Sequence, residues 1–166
     1  DDYSNLPLML IYMVASLSDT NCKLPKMKIF KCCYTVEWCH CDMAGIVFYP
    51  HFYTWFDQAT EKMFKTMGFP YTSMTERFNV VGAPLLETGT NYKNACKLGD
   101  DLNMESWVAE FDEKTFLVKH KILHADGSLA LEGFERRIMV TRDPSKEKGM
   151  KATAIPDLIK EQFRAD

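Results

Sequence analysis

The sequence predicts an α+β domain in which an antiparallel sheet of about five strands wraps around one long central helix. Three observations carry this. Across residues 50–67 apolar side chains recur every three or four positions; from residue 80 onward the period becomes two; and the breaks between the later runs are short and polar.

Residues 28–38 alternate, with Phe30, Cys32, Tyr34, Val36 and Trp38 on one side and Lys31, Cys33, Thr35 and Glu37 on the other, which predicts a half-buried strand. The helix follows. Phe52, Trp55, Phe56, Ala59, Met63, Phe64 and Met67 form one face of a 3.6-residue period. Pro50 stands in the first turn, where a missing N–H costs nothing, and Gly68 and Pro70 stop the helix. Such a broad aromatic stripe needs a sheet to cover it. Residues 70–77 are polar and aperiodic and predict an irregular, lid-like connection. Then come a turn at Gly82 and Pro84 with a strand before Cys96, and further strands over 102–111, 115–124 and 129–141. Their breaks are Gly99-Asp100-Asp101, Asp112-Glu113 and Ala125-Asp126-Gly127, the last a strong hairpin signal. Beyond a charged stretch, SKEKG, residues 155–164 predict a short helix begun by Pro156. One helix cannot protect every edge of such a sheet, so at least a homodimer is expected.

A chain of 166 residues, 46% hydrophobic and 13% aromatic, is large enough for one domain with a real core. Its net charge of -3 gives no electrostatic reason to expect nucleic acid. The six cysteines include adjacent Cys32 and Cys33 and nearly adjacent Cys39 and Cys41, a poor disulfide framework; reduced thiols in the cytoplasm are expected. Nor is a metal expected. Alternation puts Cys39 and Cys41 on one side and His40 on the other, and no second pair has zinc-ribbon spacing. The apolar run at 6–17, LPLMLIYMVASL, is too short to span a membrane and follows Asp1 and Asp2 rather than a basic region. Residues 1–26 are therefore set apart as an N-terminal extension, open to reading as a packed segment, an upstream translation artefact or a targeting segment, and 27–166 as the domain proper.

The candidate active site lies where the loop meets the helix. Asp42, followed by Gly45, can bring a carboxylate towards the helix N-terminus, where unpaired N–H groups point outward. The plainer alternative is a carboxylate that caps the helix.

With loop, helix and strand order in place, the sequence resembles the hotdog-fold thioesterases, most nearly the 4-hydroxybenzoyl-CoA thioesterase family. The run 42–50, DMAGIVFYP, followed by Trp55, Asp57 and 81–84, VGAP, carries the match, which extends over roughly residues 27–163. The resemblance implies an acyl-CoA thioesterase without metal or cofactor, a homodimer or homotetramer with sites at subunit interfaces. It implies Asp42 as nucleophile or general base and the backbone N–H of Tyr49 as oxyanion donor. Gly45, His51, Asp57, Gly82, Lys114 and Thr115 become substrate-binding positions, with Asp57 facing the acyl group. In relatives a basic cluster before the fourth strand grips the CoA phosphates; here that turn contains Glu110, Asp112, Glu113 and Lys114, so Arg136 or Arg137 is a substitute, or the carrier is an acyl carrier protein. A non-catalytic acyl-CoA-binding protein and an acyl hydratase are the remaining alternatives.

Overall fold

The computed structural model describes residues 27–147 and 149–165. The predicted extension, residues 1–26, lies outside the described residues. In order, the elements are β1 Phe30–Thr35, α1 Pro50–Thr66, α2 Tyr71–Phe78, β2 Leu85–Tyr92, β3 Asp101–Phe111, β4 Thr115–His124, β5 Leu129–Ile138, β6 Val140–Arg142, β7 Met150–Ala152 and α3 Asp157–Phe163. The five longer strands make one antiparallel sheet in the order β1-β3-β4-β5-β2, and β6 and β7 pair as a separate ribbon. Among the described residues no helix is long and apolar enough to cross a membrane.

Helix α1 lies on one face of the sheet and buries the stripe its sequence specifies: Phe52, Trp55, Phe56, Ala59, Met63 and Phe64. Full burial of each large side chain contributes roughly 1.5–3 kcal/mol. Pro50 occupies the first helical position, and Gly68, at φ +88°, turns the chain out of the helix. Gly127, at φ +85°, makes the hairpin between β4 and β5, its N–H bonded to the His124 carbonyl.

Three local expectations are corrected. Trp38 is 82% exposed, because β1 ends at Thr35 and a 3-10 turn over Trp38–His40 breaks the alternation. Residues 70–77 are mostly helical: α2 buries Met74, rests Tyr71 and Phe78 on the core, and ends at Asn79 in the left-handed conformation. The Arg77 guanidinium secures this segment by donating to the Gly68 carbonyl at 2.9 Å and lying over the Phe69 and Phe78 rings. The predicted strand over 129–141 breaks at Met139, whose side chain enters the core, and its last residues pair with β7.

The core is two apolar clusters divided by a polar seam. One gathers about Phe52, Trp55, Phe56, Met104, Ile122 and Leu131; the other about Met63, Phe64, Val108, Phe116, Val118 and Phe163. Between them, on successive elements, sit Thr60 of α1, Ser106 of β3, His120 of β4, and Glu135 and Arg137 of β5, all buried. The Thr60 hydroxyl donates to Glu135 Oε2 at 2.6 Å, and Arg137 donates to both carboxylate oxygens, at 2.7 and 3.1 Å. Ser106 Oγ and His120 Nδ1 are 2.8 Å apart. With the hydroxyl donating, the ring's proton sits on Nε2, 3.5 Å from Glu135 Oε2, too long and poorly aligned to count as a hydrogen bond. The His120 ring stacks on Phe56 at 4.5 Å, and Gly133 beside it is required because a Cβ there would run into the Phe56 ring.

Burial lowers the His120 pKa, more than its contact with Glu135 raises it. Burial alone would raise that of Glu135, but His120, the Arg137 hydrogen bonds and charge, and the Thr60 hydroxyl outweigh it and bring the carboxyl down to about 2. Both shifts make acid destabilising. Below about pH 6.5 the unfolded chain takes up a proton that folded His120 refuses; below about pH 4.5 it takes up another that Glu135 refuses. The urea midpoint is therefore expected to be flat between about pH 7 and 8 and, below that range, to fall in those two stages, the first of which should vanish in His120→Gln. Equal wild-type midpoints at pH 7.5 and 5 would contradict the assignment of a buried neutral imidazole.

Candidate active site

The loop before α1 is built by its own backbone. The Gly45 N–H donates to the Asp42 carbonyl, the Asp42 N–H donates to the Ile46 carbonyl, and Gly45 at φ +73° closes the turn. The Asp42 carboxylate accepts the Ala44 N–H at 2.8 Å, and α1 has no side-chain cap. Asp42 thus caps its own turn rather than the helix. The segment after β2 fixes the loop from the other side, through the Val47 N–H to the Cys96 carbonyl at 2.9 Å and a bridge between Ile46 and Lys97.

These pieces enclose a cavity of about 430 Å³. Asp42 and Tyr49 both line it, with Phe48, Phe52, Tyr92, Lys93 and Cys96 among its walls. Of the first-turn donors of α1, the His51 N–H goes to the Phe48 carbonyl and the Phe52 N–H to that of Tyr49, while Pro50 has none. The Tyr49 N–H finds no acceptor among the described residues. Asp42 and Tyr49, whose N–H finds no acceptor among the described residues, therefore line one largely apolar hollow, and a carboxylate and a backbone donor there would suit attack on a carbonyl carbon and the holding of the oxyanion that results. Burial pushes the Cys96 thiol up to about 11, which leaves it a poor nucleophile beside Asp42. A wider hollow of about 810 Å³ opens on the other face of the sheet, among Trp107, Lys119, Phe134 and Arg136. It contains neither Asp42 nor the start of α1.

The other predicted positions are dispersed. His51 sits just inside α1 with its ring 5.2 Å from that of His40, which packs against Trp55. Asp57, on the flank of α1, accepts a hydrogen bond from Arg137 at 2.6 Å. Gly82 bridges to Val140 just ahead of β2. Lys114 and Thr115 lie at the turn between β3 and β4, the ammonium 3.7 Å from Glu113 and the hydroxyl donating to Asp112 at 2.7 Å. Arg136 is 3.5 Å from Glu110 and 3.6 Å from Asp112. Arg137 is not at the surface at all: its side chain is 7% exposed and committed to the seam.

Glu37, Cys39 and His40 bring donor atoms within 4.8 Å of one another. Yet His40 Nδ1 accepts the Glu37 N–H at 2.9 Å, so the neutral ring carries its proton on Nε2 and keeps no lone pair for a cation. The five described cysteines are unpaired.

Sequence reasoning missed the far wall of the cavity, Tyr92 to Cys96, which carries no motif. It also missed the seam, although His120 stands in phase with Phe116, Val118 and Ile122 and is the polar exception on their inward face.

Comparison with known proteins accounts for this architecture. The 4-hydroxybenzoyl-CoA thioesterase of Pseudomonas sp. (strain CBS-3) is 26% identical over 125 residues, 72% of this chain and 88% of the relative. The solved structure of that enzyme superposes with a TM-score of 0.73 at 24% identity, covering 81% of this chain and 98% of that one. A gentisyl-coenzyme A thioesterase structure gives 0.66 at 25% identity, covering 82% and 98%. The profile of the thioesterase-like superfamily matches residues 36–163, and the chain belongs to that superfamily and has the hotdog fold.

Proposed function

We propose that this chain hydrolyses acyl-CoA thioesters to the free acid and CoA, with residues 27–166 as the catalytic domain. The observation that carries the reading is the cavity that Asp42 and Tyr49 both line; the similarity to CoA thioesterases supports it.

The thioester carbonyl oxygen accepts the Tyr49 N–H. The Asp42 carboxylate attacks the carbonyl carbon, or takes a proton from a water that does, and negative charge gathers on the carbonyl oxygen. When that tetrahedral species collapses, the C–S bond breaks and the thiolate leaves without a strong acid, thiols being far more acidic than alcohols. In the nucleophilic form the product is a mixed anhydride, which water then hydrolyses to regenerate Asp42. Gly45 and His51, close to the Asp42 loop, shape the approach to this centre, while Gly82 and Asp57, outside this cavity, contact the acyl group from elsewhere in the assembly. A cytoplasmic location suits a chain whose thiols stay reduced.

Asp42→Asn should lower kcat at least about 100-fold with the fold intact. Replacing the amide before Tyr49 by an ester removes the N–H, while weakening the Phe48 carbonyl that accepts from His51, and should cost about 100- to 1,000-fold; Tyr49→Phe should stay near wild type. Thiol release from a panel of aromatic and aliphatic acyl-CoAs reads all three, and undiminished turnover by Asp42→Asn would mean that another group attacks.

The partner in the assembly is a second copy of this chain. Strand β2 is a sheet edge that leaves Leu85, Leu86 and Tyr92 exposed, a template for pairing unless covered. Sedimentation should give a dimer or tetramer, and Leu86→Lys a smaller species; a monomeric wild type would remove the edge from consideration.

One observation favours a second reading of the carrier. At the turn between β3 and β4 the cations Lys114 and Arg136 already face Glu113, Glu110 and Asp112, which leaves little net attraction for CoA phosphates. If Lys114 and Thr115 do not grip the nucleotide, an acyl-pantetheine should approach the kcat/KM of the acyl-CoA to within about tenfold. A much larger loss would return the nucleotide to that turn; activity on acyl carrier protein alone would change the substrate.

A further inference from the structure

The face of the sheet turned away from α1 is not uniformly polar. A hollow of about 380 Å³ opens there, lined by Met27, Ile29, Glu105, Trp107, Ala109 and Lys121. Through Trp107 and Lys121 it adjoins the wider hollow that reaches Leu117 and Phe134. Together they make a trough from the start of β1 across β3 and β4 to β5, with Ile29 52% exposed at its rim. Charges beside it are spent on one another: Lys31 is 2.7 Å from Glu105, and Lys121 is 3.6 Å from Glu132. Lys119, in the wider part, can keep its ammonium in water while its stem lies against a cover. The floor therefore calls for an uncharged, apolar cover. Among the described residues no helix supplies one, because α1, α2 and α3 share the core with the inward side chains Met104, Val108, Phe116 and Val118.

A cover of that kind is tethered at the rim. Met27, a wall of the hollow, bridges to Arg164, and the Lys28 N–H donates to the Phe163 carbonyl at 2.9 Å, so the point where the chain enters the domain is fixed. Upstream, residues 6–17, LPLMLIYMVASL, contain no charged side chain. The stretch between, 18–26, SDTNCKLPK, is polar and at about 3.3 Å a residue reaches roughly 30 Å. Crossing from β1 to β5 takes three strand spacings of about 4.8 Å, roughly half that reach. Two surfaces joined by so short a tether meet at an effective concentration of about millimolar, which a second copy in dilute solution does not match.

We propose that the trough between Ile29 and Phe134, with Trp107 at its centre, is a docking surface for residues 6–17 of the same chain. The inference is independent of the thioesterase reading. It gives the two apolar surfaces of the sheet different occupants: the chain's own upstream segment on the outer face, and a second copy along the edge strand β2. A face so covered is closed to further copies, and assembly is confined to the edge.

A photoreactive benzoylphenylalanine in place of Trp107 in the full chain reads the occupant directly. Irradiating a mixture of isotope-labelled and unlabelled protein should give an adduct to the tryptic peptide 1–23 in which both halves carry the same label, a bond within one chain. Leu10→Glu combined with Ile11→Glu should abolish that adduct and, in a chain that keeps its tryptophan, open Trp107 to quenching by acrylamide. If the probe at Trp107 disturbs folding, the same probe at Ile29, exposed at the rim, gives the same readout. Adducts that join labelled to unlabelled chains would overturn the inference by making a second copy the cover. No adduct to peptide 1–23 from either position would overturn it outright, the face being open. An adduct lost on adding phosphatidylcholine vesicles would assign the apolar run to a membrane instead. None of these outcomes bears on thioester hydrolysis, so this inference and the thioesterase reading fail separately.

Discussion

A carboxylate in the middle of an apolar core has to be matched, and Glu135 is hydrogen-bonded from two elements, with a third facing it. Thr60 comes down from α1, Arg137 lies two positions along the same strand, and His120 faces it from β4. Removing Arg137 would leave the Glu135 charge uncompensated, a penalty of about 3–5 kcal/mol, against a net stability for a domain of this kind of about 5–15 kcal/mol. The apolar clusters on either side could tolerate many hydrophobic exchanges of similar volume. The seam between them could not, because its donors and acceptors fix the register of β3, β4 and β5 relative to the helix.

That fixed register is what places the candidate site. The bond from Thr60 to Glu135 ties α1 to β5, and Tyr49 at the start of the same helix lines a cavity with Asp42. Phe56, between seam and helix start, lies flat on His120 where Gly133 leaves it room. The candidate site, in contrast, holds together through backbone hydrogen bonds and short turns. Its carboxylate is exposed and caps nothing but its own loop. The division is physically sensible: rigidity comes from buried groups that water cannot reach, and reactivity needs a group that a substrate can.

Much of this was legible in the sequence, and the illegible parts share a cause. The 3.6-residue stripe of α1 and the period of two in β3, β4 and β5 come from burial on one face, so they survive in the sequence as pattern. That Asp42 and Tyr49 would stand close together was legible for another reason: the loop that joins them is short, and its glycine and proline sit where the backbone requires them. Helix α2 presents only Tyr71, Met74 and Phe78 to the core, three points among Thr, Ser, Glu and Arg, and so little face is easily read as none. The ribbon of β6 and β7 has three residues a strand, too few for any period. The seam was visible as polar residues in inward phase, but its meaning depends on which side chains meet across strands and helix. Arg136 and Arg137 are neighbours in sequence, both cationic, and lie on opposite faces of β5. Only the pleat decides which is buried.

Site and assembly meet at Tyr92. It is the last residue of the edge strand β2, it lines the cavity, and its ring packs at 5.8 Å from that of Phe52 on α1. A second copy paired along β2 would therefore run directly past the cavity wall and cover the apolar side chains that now stand open there. Covering them would exclude water from a site whose carboxylate and N–H act more strongly in a low dielectric. The same edge that is a liability to a single copy would become, in a pair, the means of drying the site. The fold has no other element in position to do so among the described residues, since α2 and α3 pack at the opposite end of α1, with Phe64, Phe69 and Phe163.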